Sequence, residues 1–280
     1  MVEVLLRRWQ KEKVGEKELT PSPALRAILL DNWRLLPIVQ RLAYEAHQAQ
    51  RQGQGAADLP RRLALELLEQ DQYLGSSARA EEFLDYVDQR AGLLVGQGGD
   101  LRHPTTYSFP HRTFQEYLAG CYLIGQRDVA RTLRARAAEG DDWGLAVRFG
   151  VQDLLYNRMG ANQVLDLAYQ LCPASPPATL PARRAVLWAA VMIDRVGREA
   201  VLRDTDTPGG GEAFLTRLVP ALRDLLRSDL VPSERAEAGV VLARLGDSRD
   251  EVLHSAAMEF CYVPAGPFWM GSRDDPDAEK

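Results

Sequence analysis

From Phe114 to about residue 257 the apolar residues recur every three or four positions. That beat is the period of helices that each bury one stripe. The interruptions are Gly140, Gly160, the loop 172–181, the loop 205–211 and Val231-Pro232, so this region reads as helices of roughly 10 to 18 residues. The same period runs upstream. Residues 1–13 carry Val4, Leu5, Leu6 and Trp9, and residues 24–48 carry Leu25, Ile28, Leu29, Leu35, Ile38, Val39, Leu42, Ala43 and Ala46. Residues 50–58 are small and polar and read as a loop. Leu63, Leu67 and Leu68 open another helix beside Pro60, a residue tolerated in a first turn.

One stretch breaks the beat. Ala80 to Arg90 is helical, with Phe83, Leu84 and Val87 inward. Gly92 to Val95 is a short apolar run, Gly96 to Asp100 a turn, and Tyr107 to Phe109 a second run closed by Pro110. Helix, strand, tip, strand, helix is the order of a winged helix. From Met258 the character changes again: Phe260 to Val263 and Phe268 to Met270 are β-prone arms around Pro264-Ala265-Gly266. A lone hairpin is marginal in water, so the chain is expected to stop just inside a further domain.

The fold expected is therefore mainly α: a helical segment over 1–58, a winged helix over 59–125, an α-helical array over 126–257 and a truncated β-hairpin over 258–280. The array carries a weak repeat. Ala189-Ala190 with Arg195-Val196-Gly197 matches Ala238-Gly239 with Arg244-Leu245-Gly246, a hint of HEAT-like stacking.

Composition narrows function by exclusion. The net charge is −5, so nothing draws the whole chain to nucleic acid or anionic membrane. Residues 60–136 hold ten basic and ten acidic side chains, and the recognition helix was expected to start at Thr113 with Gln115 and Glu116 on its exposed face. No partner of nucleic acid is expected. Cys121, Cys172 and Cys261 are widely spaced and form no CxxC, which points to a reducing cytosol and away from disulfides or zinc. No stretch of about 18 apolar residues suggests a membrane span. His47, His103 and His254 lack metal-ligand spacing. Arg127, Arg131, Arg134 and Arg136 read as a solvated face, Asp141-Asp142 as a helix N-cap, and Trp9, Trp33, Trp143 and Trp188 as core.

The densest signal is Tyr107 to Leu123. Thr113 and Glu116 fit a capping box, and Phe114, Tyr117, Leu118, Cys121 and Tyr122 share one helical face. His111 stands just ahead of that helix. An imidazole beside free helix N–H groups suits an anion; packing against the loop is the plain alternative.

FPHRTFQEYLAGCYL resembles the winged-helix signature of NACHT-family switch NTPases, in Phe109, His111, Phe114, Gln115, Glu116, Tyr117, Ala119 and Gly120. MVEVLLRRW and LPIVQRLAYEAH are similar to the helical segment that follows the family's NTPase core. The resemblance implies that His111 contacts the β-phosphate of ADP in the resting state. It also implies an NTPase core in cis, a protein ligand or effector, and homo-oligomerisation on activation. No GxxxxGK[ST] occurs in the chain, so ATP and ADP binding and hydrolysis are expected only with that core, and the chain alone is expected not to be an enzyme.

The end, MEFCYVPAGPFWMGS, resembles the opening strand pair of formylglycine-generating-enzyme-like domains in Val263, Pro264, Gly266, Phe268, Met270, Gly271 and Ser272. Cys261 does not match that family's catalytic cysteines. Two other readings stay open: an N-terminal extension of such an enzyme, and a HEAT-like interaction scaffold.

Overall fold

The computed structural model describes residues 21–51, 58–100, 103–205, 210–260 and 262–267. The helix expected over 1–13, Trp9, Cys261 and the arm from Phe268 to Ser272 lie outside the described residues. Two compact units emerge, residues 1–245 and 246–280.

In the first unit, α1 (Pro23–Leu30) and α2 (Asn32–Arg51) replace the single helical region expected over 24–48. Asp31, in extended geometry, separates them, and its carboxylate accepts from Trp33 N–H at 3.0 Å. The stripe from Leu25 to Ala46 is buried throughout. Trp33 is not: it is 92% exposed. At about 100° per residue it lies roughly 170° round α2 from the face that buries Leu35, Ile38 and Leu42.

The three-stranded antiparallel sheet has the order β1-β3-β2, with β1 Asp58–Pro60, β2 Val95–Gln97 and β3 Thr106–Ser108. Sequence reasoning missed β1 and placed β2 too early, at Gly92 to Val95. Gly92 instead ends a π-helical turn, Val87–Ala91, and Gly96 and Gln97 belong to the strand. Between β1 and β2 lie α3 (Arg61–Leu68) and α4 (Ser77–Tyr86). These two form the helix-turn-helix pair, so α4, not the helix near Thr113, holds the recognition position. Glu81, Glu82 and Asp85 outnumber Arg79 on it, and Glu81 is paired with Arg61.

Helix α5 (Arg112–Ile124) leaves β3 after a three-residue link and packs against both α2 and α7 (Gly144–Gln152). Enclosure on two sides buries Gln115 and Glu116, which were expected to face solvent. At the α5/α7 crossing a Cβ on Gly120 would sit 2.0 Å from the Ala146 carbonyl oxygen, and one on Gly150 2.4 Å from that of Gly120. Only a bare backbone fits on either side. The small-residue pair Ala119-Gly120 thus follows from contact rather than from local conformation.

Helices α6 (Val129–Glu139), α8 (Ala161–Leu171), α9 (Leu180–Val196), α10 (Arg198–Leu202), α11 (Gly210–Leu225) and α12 (Pro232–Leu245) follow, with breaks where glycine and proline placed them. Helix α9 is the second hub, touching α6, α7, α8, α11 and α12. Every residue from Arg184 to Ile193 is buried, as befits a helix covered all round. Arg184 donates to Glu234 from Nε (2.6 Å) and Nη2 (3.1 Å), and from Nη1 to the Ala137 carbonyl (2.7 Å). One buried guanidinium ties α9 to α12 and α6. The two helices in the sequence repeat face each other, and both end on a glycine with positive φ, Gly197 at 93° and Gly246 at 111°. An apolar cluster runs without a break from Leu25 to Leu245.

Two further readings are corrected. Arg136 does not lie on a solvated face: it pairs with Glu139, and its guanidinium carbon sits 5.4 Å from the Trp143 ring centre. Beside it, buried His47 lies 4.4 Å from the same ring. Asp141-Asp142 does not cap α7, whose N-cap is Trp143 without a side-chain cap bond. Trp143 and Trp188 are buried as expected.

The second unit holds α13 (Asp250–Leu253), a 3-10 turn (Ser255–Ala257) and an Arg249–Asp247 ion pair at 2.6 Å, and none of its described residues is buried. Met258 to Phe260 and Tyr262 to Pro264 form no strand there.

Gly120→Ala is expected to lower unfolding free energy by at least about 2 kcal/mol through overpacking. Gly144→Ala, whose Cβ would meet nothing closer than 3.8 Å, should stay within about 1 kcal/mol of wild type; urea melts of the two variants check this. In the same assay Arg184→Met should cost about 3–5 kcal/mol, because Glu234 is left buried and unpaired.

Candidate functional site

The site is assembled by the link between β3 and α5. Strand β3 is held by ladders on both edges, Leu59 opposite Tyr107 on one side and Gly96 opposite Tyr107 on the other. Phe109 is buried, Pro110 follows, and His111 is the N-cap of α5 at φ −125°, ψ 117°. Its carbonyl accepts from Phe114 N–H at 3.0 Å. Its side chain makes no cap bond, and its exposed ring meets Phe114 edge-on at 5.5 Å.

The capping box is therefore absent: the N-cap is His111, two residues before Thr113. Glu116 is buried and accepts instead from Arg112 Nε at 2.9 Å. His111, Arg112 and Thr113 are all exposed at the helix mouth. First-turn N–H groups have no partner within a helix. The mouth of α5 thus exposes an imidazole, a hydroxyl and the helix's positive end at successive positions, with the Arg112 guanidinium turned toward Glu116.

Residues 1–123 match the family model of the winged helix-turn-helix domain C-terminal to NACHT. The match spans the helix-turn-helix pair, the sheet and nearly all of α5, and it supports the NACHT-associated part of the resemblance. No curated protein and no solved structure gives a significant match.

Beyond the mouth of α5, the apolar stripe of this helix does not enter the core as a whole. Leu118 and Cys121 are buried, but Phe114, Tyr117 and Tyr122 remain half-buried along an open groove of about 1130 Å³. The other walls come from Trp33, Leu36 and Pro37 on α2, from Phe149 on α7, and from the π-helical turn Asp153–Asn157.

The polar end of the groove is a hub on Asp153. One carboxylate oxygen accepts from Tyr117 Oη and Asn157 Nδ2, both at 2.8 Å, and the other from Arg158 Nε at 2.8 Å. Burial alone would raise the Asp153 carboxyl. The hydrogen bonds from Asn157 and Tyr117, with the charge of Arg158, bring it below the usual carboxylate value. Its neighbours pay the opposite way. Burial, the Cys121 thiol and the bond to Asp153 push the Tyr117 phenol far up. Burial, then the Asp153 charge, pushes the Cys121 thiol up to about 12, so Cys121 is no nucleophile at neutral pH.

Sequence reasoning placed His111 but missed Asp153, Asn157 and Arg158. The available signal was an acid inside the apolar run Val151 to Leu155, where an unpaired carboxylate is not tolerated.

A carboxylate held below its unfolded value stabilises the fold fully above the unfolded pKa of about 4, and that stability is lost as pH falls through the folded value. Asp153→Asn is expected to cost about 1–3 kcal/mol at pH 7. The gap to wild type should narrow in melts run near pH 3.

Proposed function

We propose that this chain is the regulatory, sensor-relay part of a NACHT-type switch NTPase and has no catalysis of its own. The observation that carries the reading is the donor set at the mouth of α5, inside the region that matches the NACHT-associated family. In the closed state His111 would donate to the β-phosphate of ADP held by an NTPase core in cis, with the free N–H groups of Arg112 and Thr113 beside it. ADP supplies the charge that the mouth recognises; this chain supplies position and proton donors. The sequence contains no GxxxxGK[ST], in keeping with a nucleotide cradle located in the core.

Relay follows from packing. Movement of α6–α12 reaches α5 through the α5/α7 crossing, and α5 carries His111. Binding of a protein ligand or effector would shift this balance and release the winged helix, followed by homo-oligomerisation. Nucleic acid is disfavoured as a partner, because α4 carries Glu81, Glu82 and Asp85 against Arg79 alone and so offers no cluster of positive charge. The facing pair α9 and α12 supports a HEAT-like character for the array. The segment from Met258, with Phe260, Tyr262 and Val263 exposed, fits the first arm of a formylglycine-generating-enzyme-like domain.

Calorimetry on the chain alone is expected to show no micromolar affinity for ADP or ATP. Joined to its NTPase core, His111→Ala should weaken ADP binding about tenfold or more, the loss of one charge-assisted bond. Unchanged ADP affinity in that variant would remove His111 from the switch.

A further inference from the structure

Helices α7, α9 and α12 enclose a second groove, of about 510 Å³. Its floor is buried Leu187, Trp188 and Val191 of α9, and its rims carry exposed Leu145 of α7 and exposed Val240 of α12. Arg184 pairs with Glu234 and Asp194 with Arg244, each 50 residues apart, so α9 and α12 run parallel in one register. The α12 wall extends from Ser233 to Arg244, about 16 Å at 1.5 Å per residue.

Most charges along this groove are matched within the fold: Arg148 pairs with Glu237, Arg244 with Asp194 and Arg184 with Glu234. Arg195 is left over. It is exposed at the end of α9, has no hydrogen-bond or ion-pair partner among the described residues, and acts on Glu237 only through space. Asp141, exposed just ahead of α7, is likewise unpaired. The decisive group is Trp188. It is only 5% exposed, yet its indole N–H meets no acceptor among the described residues and is not sealed from solvent. Gly144 stands beside it, and a Cβ there would lie 3.8 Å from Trp188 Nε1. The absent side chain leaves the N–H open to the groove, where an acceptor must come from outside the fold.

We propose that this groove binds an extended peptide segment with one acidic residue among apolar ones. A main-chain carbonyl of the peptide accepts from Trp188 Nε1. Its carboxylate takes the Arg195 guanidinium, a charge-assisted contact, and its apolar side chains lie between Leu145 and Val240. The wall of about 16 Å suits roughly five extended residues at about 3.3 Å each. Unpaired Asp141 opposes a polyanion, so a single carboxylate is the match. The site requires neither nucleotide nor an NTPase core, and it stands or falls apart from the role of His111.

An NMR titration of the full chain, labelled at the tryptophan indole nitrogens, tests this. The probe is an acetylated and amidated pentapeptide in which alanine and leucine flank a central glutamate on each side. Loss of one signal in Trp188→Phe identifies the Trp188 indole. In wild type that signal should shift on adding the probe, and the shift should saturate. Arg195→Gln, at an exposed position, should weaken binding about tenfold. Exchanging the probe's glutamate for glutamine should do the same in wild type, with no change to the protein. An indole signal unmoved by millimolar probe overturns the proposal, and so does equal affinity for the glutamate and glutamine peptides. An equal shift with hexanoate alone is also fatal, because the groove then takes a free carboxylate and not a peptide.

Discussion

Two glycines on different helices decide how this molecule is put together. Gly120 and Gly150 let α5 and α7 meet backbone to backbone, with no room for a Cβ on either side. Because that contact exists, α5 can be clasped between α2 and α7, and the region carrying the sheet shares one apolar core with the region organised on α9. With α5 pushed outward, Gln115 and Glu116 would regain water and the α5/α2 seam would open.

The second hub works by different physics. Helix α9 is fixed by burial on every side, and its one buried charge, Arg184, meets both a carboxylate and a carbonyl from other helices. Replacing such a pair by apolar groups can leave a fold as stable as before, whereas breaking it does not. Its contribution is to geometry: Glu234 accepts in one register of α12 against α9, and the Ala137 carbonyl sets α6 in the same stroke.

Much of this was legible in the residues, for a physical reason in each case. The stripe from Leu25 to Ala46 declared its buried face because solvent and core select at the helical period. Glycine and proline marked the breaks because backbone conformation is a local property. Most of the failures are non-local. Asp31 splits a helix without disturbing the phase of the stripe. Strand β1 is three residues, Asp58-Leu59-Pro60, too few for any periodicity. Trp33 looked like core because no sequence pattern says which of two apolar faces is covered. Gln115, Glu116 and the Asp153 hub are polar groups whose burial depends on residues distant in sequence, 36 positions apart for Tyr117 and Asp153. The position of His111 beside a helix start was legible because that signal is local, although the N-cap was set at Thr113, two residues late.

The three-residue link from β3 to α5 has a consequence for recognition. Strand β3 is pinned along both edges and α5 along both flanks, so the backbone of His111 has its conformation settled by folding. A group arriving at the mouth has only side-chain rotamers left to order. Under the proposed contact with ADP, the entropic loss that weakens binding by loose loops would be small there, and discrimination would rest on the angle at which the imidazole is held.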